Sequence, residues 1–258
     1  MTTLAQTLDA LQPGSPCAIP ANWLQGRTAY GGLSAAMAHH VALQQAPADL
    51  PALKAAQLSF IGPVGDATQF SAELLRRGKS ATQIGVDARV GGALAMRASF
   101  VFGAARSSSI QHNQVQRPAV PGPESFQSYA SSMPMPGHFV NFDVRFIGAA
   151  TPVSAAADPE LLAWVRLRDA AGLDPTSALL ALGDCLPPAS MACFTQPAPI
   201  SSMTWAIDFP RPATRSDWFL QRSRSLVAGD GYSFQLMEVW DQEGELVLVG
   251  TQTVAIFI

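Results

Sequence analysis

Charge is what this chain has least of. Only 14% of its 258 residues are charged, against 48% hydrophobic, and the balance is −3 at neutral pH. Nucleic acid and anionic membrane surfaces both require a basic stripe, so neither is expected as a partner. An exterior this poor in charge points to surface covered by other copies, and a homo-oligomer (dimer or higher) is expected. Cysteine is scarce too. Cys17, Cys185 and Cys193 are odd in number and irregularly spaced, which excludes a disulfide framework and fits a reducing compartment. No CxxC pair or Cys/His cluster is present, so no metal and no cofactor is expected. The N-terminus has no basic segment followed by an apolar run, so no signal peptide is expected. No stretch approaches the roughly 18 apolar residues of a membrane span. A cytoplasmic protein is expected. There is no GxSxG elbow and no Ser/His/Asp set, which argues against a covalent serine intermediate.

What is present is organised around residues 30–46, YGGLSAAMAHHVALQQA. Two glycines open the stretch and Pro47 closes it. Leu33, Ala36, Met37, His40, Val41 and Gln44 recur at helical spacing, and Ala35, Ala38 and Ala42 cover the other face. A helix this apolar all round is buried on most sides. His40 falls on the apolar stripe with His39 beside it; a catalytic histidine is one reading, and a hydrogen-bonded core or interface histidine is the plainer one. Ahead of it, Leu4, Leu8 and Leu11 mark a short amphipathic helix. Behind it come four strand-like runs: 56–63, 68–78, 80–90 and 93–103. Gly91-Gly92 forms the hairpin turn between the last two, since glycine tolerates positive φ.

From residue 104 to 137 the composition changes to Ser, Pro and Gln, a linker by composition. A second pass follows. Residues 138–148 and 161–170 read as strands. Asp174-Pro175 starts a helix, with Asp as N-cap and Pro at the first helical position, and the helix runs through TSALLALGDCL to Pro187-Pro188. Strands at 201–211, 217–227, 231–241 and 245–258 finish the chain. The expected organisation is a first unit at 1–105, a linker at 106–137 and a second unit at 138–258. The class is α+β, each unit a central helix wrapped by a curved antiparallel sheet.

The two passes align by hand. GALAMRASFVF (92–102) lies on GELVLVGTQTV (244–254), LSFIGP (58–63) on IDFPRP (207–212), and RRGKS (76–80) loosely on QRSRS (221–225). Differences in polarity between the copies mark candidates. Gln252 shares its face with Leu246, Leu248, Val254 and Ile256, and its counterpart is Phe100. A buried amide there needs hydrogen-bond partners. Ser202 stands where the first copy has Leu53. Asp184 sits at the C-terminal end of the second helix, where the dipole disfavours a carboxylate. An acid, an amide and a hydroxyl can together hold a water molecule, the acid accepting its proton.

These segments resemble the acyl-CoA thioesterase II family of double hot-dog proteins. The resemblance rests on GRTAYGGLSAAMAHH, SFIGP and LLRRGKSATQ in the first half. In the second half it rests on WVRLRD, LLALGDCLPP, SSMTWAIDFPRP, DWFLQ and GELVLVGTQ. It implies a double hot-dog fold, an acyl-CoA substrate, direct hydrolysis of the thioester by water, and a catalytic set that falls on Asp184, Ser202 and Gln252. The hydroxyl is serine where threonine is more usual in the family, and Ser201 and Thr204 stand close enough to leave the register open. The oxyanion would sit at a helix start, either Gly31-Gly32 or Asp174-Pro175. Thr204 and an edge of Trp205 are further candidates for substrate contact. Arg76, Arg77, Lys79, Arg222 and Arg224 are candidates for the phosphates of coenzyme A. The alternative is a catalytically silent protein that binds acyl thioesters.

Overall fold

Period-two alternation builds the larger part of the regular structure. The computed structural model describes residues 1–131 and 135–258; residues 132–134, inside the linker reading, lie outside them. The chain begins with α1 (Leu4–Asp9), capped by Thr3, then short strands β1 (Pro16–Cys17), β2 (Leu24–Gln25) and β3 (Thr28–Ala29). The long helix α2 (Gly31–Gln44) follows, then β4 (Leu53–Phe60), β5 (Thr68–Arg77), β6 (Ala81–Val90) and β7 (Ala93–Gly103). The second half contains β8 (Phe142–Phe146), β9 (Glu160–Leu167) and α3 (Pro175–Gly183). It ends with β10 (Ile200–Asp208), β11 (Phe219–Gly229), β12 (Tyr232–Trp240) and β13 (Leu246–Ile256).

Eleven strands form one antiparallel sheet in the order β1-β5-β6-β7-β4-β10-β13-β12-β11-β9-β8. The order reads almost the same from either end, and β4 pairs with β10 at the centre, Leu58 opposite Trp205. Each half is a helix wrapped by its own arm of the sheet: two hot-dog units side by side. The Gly91-Gly92 hairpin forms as expected, with φ of +55° and +85°.

The second helix is shorter than its sequence suggested. It ends at Gly183, with Asp184 as C-cap, instead of continuing to residue 186. Pro187 disfavours helical backbone at Leu186, and the Cys185 N–H turns back to the Leu182 carbonyl at 2.9 Å. Its N-terminus is as expected: the Asp174 side chain accepts from the Ser177 N–H at 2.8 Å, with Pro175 next in line. α2 and α3 run antiparallel. Gly32 near the start of α2 lies so close to the end of α3 that an added Cβ would come within 2.6 Å of the Ala181 carbonyl oxygen.

Between the halves, residues 115–126 pack against the second unit. Val115, Val120 and Phe126 cover an outer apolar cluster of Trp164, Trp218, Leu220, Trp240 and Leu246. The Trp164 indole donates to the Pro121 carbonyl at 2.8 Å. Among the described residues no helix is long and apolar enough to cross a membrane.

Candidate active site

Asp184 occupies the point where the end of α3 meets the start of α2. Gly183 lets the end of α3 lie close against the sheet, since a Cβ there would come within 3.0 Å of Leu248 on β13 and 3.4 Å of the Trp205 ring on β10. The carboxylate sits at the negative end of its own helix but faces the positive end of α2, where the Gly32 N–H donates to it. Gln252 Nε2 donates to Asp184 Oδ1 at 2.7 Å. The residue keeps some exposure toward a cleft, but its carboxyl group is enclosed by protein. That loss of solvation raises its pKa from 3.8 to about 7, against the lowering effect of the two hydrogen bonds.

Gln252 is itself held. Its Oε1 accepts from Gln235 Nε2 at 2.7 Å, and Gln235 Oε1 accepts from the Ala189 N–H at 2.9 Å. A third glutamine, Gln221, donates to the Gly183 carbonyl at 2.8 Å and so steadies the end of α3. All three are buried. The ladders show what replaces them in the first half. Gln235 pairs with Gln252 as Ile84 pairs with Phe100. Gln221 pairs with Val239 as Phe70 pairs with Ala88. Three fully buried apolar residues of the first unit are thus three glutamines in the second. The hand alignment of RRGKS on QRSRS is out of register, because the counterpart of Gln221 is Phe70 and not Arg76. That slip hid Gln221. Gln235 was missed although it lies on the buried face of an alternating strand, the same signal that singled out Gln252.

The cleft has a volume of about 760 Å³ and its wall includes Asp184, Gly31, Ser34, Phe60, Ser201 and Ser202. β10 carries a bulge between Ser202 and Thr204 in its ladder with β13. The extra residue turns Thr204 outward, where its hydroxyl accepts weakly from the Thr253 N–H at 3.4 Å. The register question therefore narrows to Ser201 and Ser202, which both border the cleft. Trp205 does not line it: the ring is fully buried against Gly183 and Gly250, and a Cβ at Gly250 would fall 2.8 Å from its Nε1. Gly31 borders the cleft, and a Cβ on it would lie 2.6 Å from Asp184 Oδ2. Gly32 is buried behind it.

Residues 114–256 match the acyl-CoA thioesterase C-terminal domain and residues 19–103 the acyl-CoA thioesterase N-terminal domain. The chain belongs to the acyl-CoA thioesterase family. Solved structures agree on the fold of this family member. A conserved protein of unknown function with hot dog fold from Alicyclobacillus acidocaldarius has a TM-score of 0.87 at 25% identity, covering 100% of this chain and 99% of that one. An acyl-CoA thioesterase II, TesB2, from Mycobacterium marinum has a TM-score of 0.78 at 22% identity, covering 99% and 98%. The tesB protein of Mycobacterium avium subs paratuberculosis has a TM-score of 0.78 at 18% identity, with the same coverage. No curated protein matches the sequence.

In this chain a second junction lies opposite the first, where the end of α2 meets the start of α3. Here it is closed. His39, not His40, faces inward. Its Nδ1 lies 2.9 Å from Ser177 Oγ, and Ser177 Oγ donates to Asp174 Oδ1 at 3.1 Å. The sequence showed no Ser/His/Asp set, yet the fold assembles one. It is wired unlike a nucleophile: the hydroxyl proton goes to the carboxylate, so His39 must donate to Ser177, and Ser177 has no exposure. Burial lowers the His39 pKa to about 4, so the ring is neutral. Phe100 packs edge-on against it at 5.6 Å, in the position that Gln252 holds on the other side. His40 is half-buried and paired with Gln44.

The cationic candidates lie away from the cleft wall. Arg77 pairs with Asp49, and Arg222 and Arg224 pair with Glu238; Arg76 and Lys79 do not line the cleft either. Among the described residues the arginine on the cleft wall is Arg27, in the turn between β2 and β3. It stands inside the GRTAYGG segment that carried the family resemblance, but was not singled out as a phosphate candidate. Among the described residues no group of three or more His, Cys, Asp or Glu side chains gathers as a metal would need.

Proposed function

We propose that this protein hydrolyses acyl-CoA thioesters to the free carboxylic acid and coenzyme A, by direct attack of a water molecule that Asp184 activates. The observation that carries the proposal is the state of Asp184: a carboxylate on the wall of a cleft, gripped by two donors, with a pKa of about 7. A base poised near neutrality is half ionised at working pH and still basic enough to take a proton from water as it attacks.

In the proposed step, water bound against Asp184 and Ser202 attacks the thioester carbonyl carbon and its proton passes to Asp184. The oxyanion forms at the start of α2. Gly32's N–H is already committed to Asp184, which leaves the Gly31 N–H and the positive end of the helix to stabilise the new charge. The intermediate collapses with cleavage of the carbon–sulfur bond, and the departing thiolate of coenzyme A takes up the proton that Asp184 had accepted, which returns Asp184 to its carboxylate. No bond to the enzyme forms. Gln252 holds the carboxylate in place, and Ser202 is assigned the orienting hydroxyl because it is the more enclosed of the two serines at the bulge. The exposed apolar residues Met203, Leu226, Val227 and Phe234 support a homo-oligomer as part of the same reading.

The test is thiol release from a panel of acyl-CoAs, short to long and aromatic, by the wild type and by Asp184→Asn. Turnover by the wild type that falls at least about a hundredfold in the folded variant is expected. Binding without turnover in both would replace the hydrolase with a silent thioester-binding protein.

A further inference from the structure

Asp184 stands at the end of a line of hydrogen bonds that starts from a group able only to donate. Ala189 opens a 3-10 turn, and the residue before it, Pro188, provides no side-chain cap. The Ala189 N–H therefore needs an acceptor from elsewhere, and Gln235 Oε1 supplies it at 2.9 Å. With its oxygen committed there, Gln235 turns its amide nitrogen to Gln252 Oε1, and Gln252 turns its own nitrogen to Asp184, each at 2.7 Å. The polarity of the whole line follows from one backbone N–H.

An isolated Gln252 would have no such preference, because the two ends of an amide have nearly the same shape. With nitrogen toward Asp184 the ionised carboxylate is favoured. With oxygen toward it, the carboxyl must keep a proton in order to donate. We propose that Gln235 is a positioning residue for this site: through its bond to Gln252 it decides which end of that amide Asp184 meets. The inference rests on the reading of Asp184 as the water-activating group. Gln235 does not line the cleft and acts only through its neighbour. The first unit, with Ile84 and Phe100 as the same cross-strand pair, has no such line.

Reversing the line would leave opposed donors or opposed acceptors among side chains only 2% and 3% exposed, an arrangement that costs far more than one rotated amide in water. The other titratable groups facing Asp184 are Tyr30, at the start of α2, and Cys185, on the same turn. Both are pushed well above their usual values by burial, with the Asp184 charge adding to it. They remain neutral around pH 7, so the donors Gln252 and Gly32 are what favour the ionised carboxylate.

The experiment compares the wild type with Gln235→Glu and Gln235→Met. One readout is the titration of Asp184 followed by carboxyl carbon NMR; the other is kcat and KM against pH with the best acyl-CoA. Gln235→Glu keeps an acceptor for Ala189 but loses the donor to Gln252, so that amide turns its oxygen to Asp184. The Asp184 midpoint should rise by about one pH unit or more, and kcat at pH 7.5 should fall about tenfold with KM nearly unchanged. Gln235→Met removes both ends and frees Gln252 to rotate; a smaller rise is expected, and this variant carries the test if the glutamate variant fails to fold. A packing role alone would lower stability in both variants and leave the midpoint of Gln235→Met where it was; a rise in Gln235→Glu alone would report only the added carboxylate charge and overturn the inference. An unmoved midpoint in the folded variants overturns the inference, whatever the activity. A midpoint that moves while the wild type releases no thiol keeps the line of hydrogen bonds and removes the hydrolase reading instead.

Discussion

Replacing Asp184 with asparagine should change both the stability of the fold and its dependence on pH. In the folded wild type the carboxyl holds its proton up to about pH 7, whereas in the unfolded chain it gives it up near 3.8. Between those values the native state binds the extra proton, so its stability is full below pH 3.8 and declines as pH rises toward 7. From pH 5 to pH 7 this amounts to two pH units at about 1.4 kcal/mol each, or about 3 kcal/mol for a fully enclosed group. The residue is partly open to the cleft, and water there screens some of the effect, so about 1–3 kcal/mol is expected. Asparagine cannot titrate and lacks this slope. It has a fixed cost of its own. Two donors, Gln252 Nε2 and the Gly32 N–H, converge on the side chain, and asparagine offers one oxygen, leaving about 1–3 kcal/mol of unsatisfied hydrogen bonding at every pH. The variant should therefore be clearly less stable than the wild type at pH 5 and nearly equal to it at pH 8. Urea titrations at both pH values, followed by tryptophan fluorescence, measure this. Every other titrating group is common to the two proteins and cancels in the double difference. A gap between wild type and variant that is the same at pH 5 and pH 8, within about 0.3 kcal/mol, would refute a protonated, enclosed Asp184.

Two further outcomes follow from the same geometry. If Asp184 acts as the base, kcat should rise with pH through an apparent pKa of about 7 and level off above it, and a profile that falls through 7 would make Asp184 an acid instead. Gly31→Ala places a methyl group 2.6 Å from Asp184 Oδ2; a loss of at least about tenfold in kcat is expected with little change in thermal midpoint, and full activity would show that the carboxylate has room to move.

The fold was readable because each of its parts has a local cause. The glycine pair at 91–92 dictated a hairpin. Asp174 and Pro175 dictated a helix start that forms as expected, and the apolar wrap of residues 31–44 dictated burial. The site was readable only in part. Gln252 stood out as an amide among aliphatics, and Asp184 as a carboxylate at the wrong end of a helix. Gln221 and Gln235 obeyed the same rule but were lost, the first to an alignment out of register and the second to the absence of any comparison with Ile84. Arg27 lay in the quoted GRTAYGG segment, but nothing in a two-residue turn tells from sequence that its side chain borders a cleft.

The sequence by itself determined the alternation of buried and exposed positions, the two copies of one helix-and-sheet unit, and the polar residues that interrupt the second copy's apolar faces. These depend on period and on residue type, which a chain displays along its length. Which polar residues meet was decided only by the tertiary structure. The donor that holds Asp184 from the other side belongs to Gly32, far away in sequence, and arrives because α2 and α3 pack antiparallel. A bulge in β10 sends Ser202 to the cleft and Thr204 to the outside. His39 and Ser177 meet at the mirrored junction and close it. Hydrogen bonds depend on distance and direction to within a few tenths of an ångström, and those are set by packing between elements rather than by any one of them.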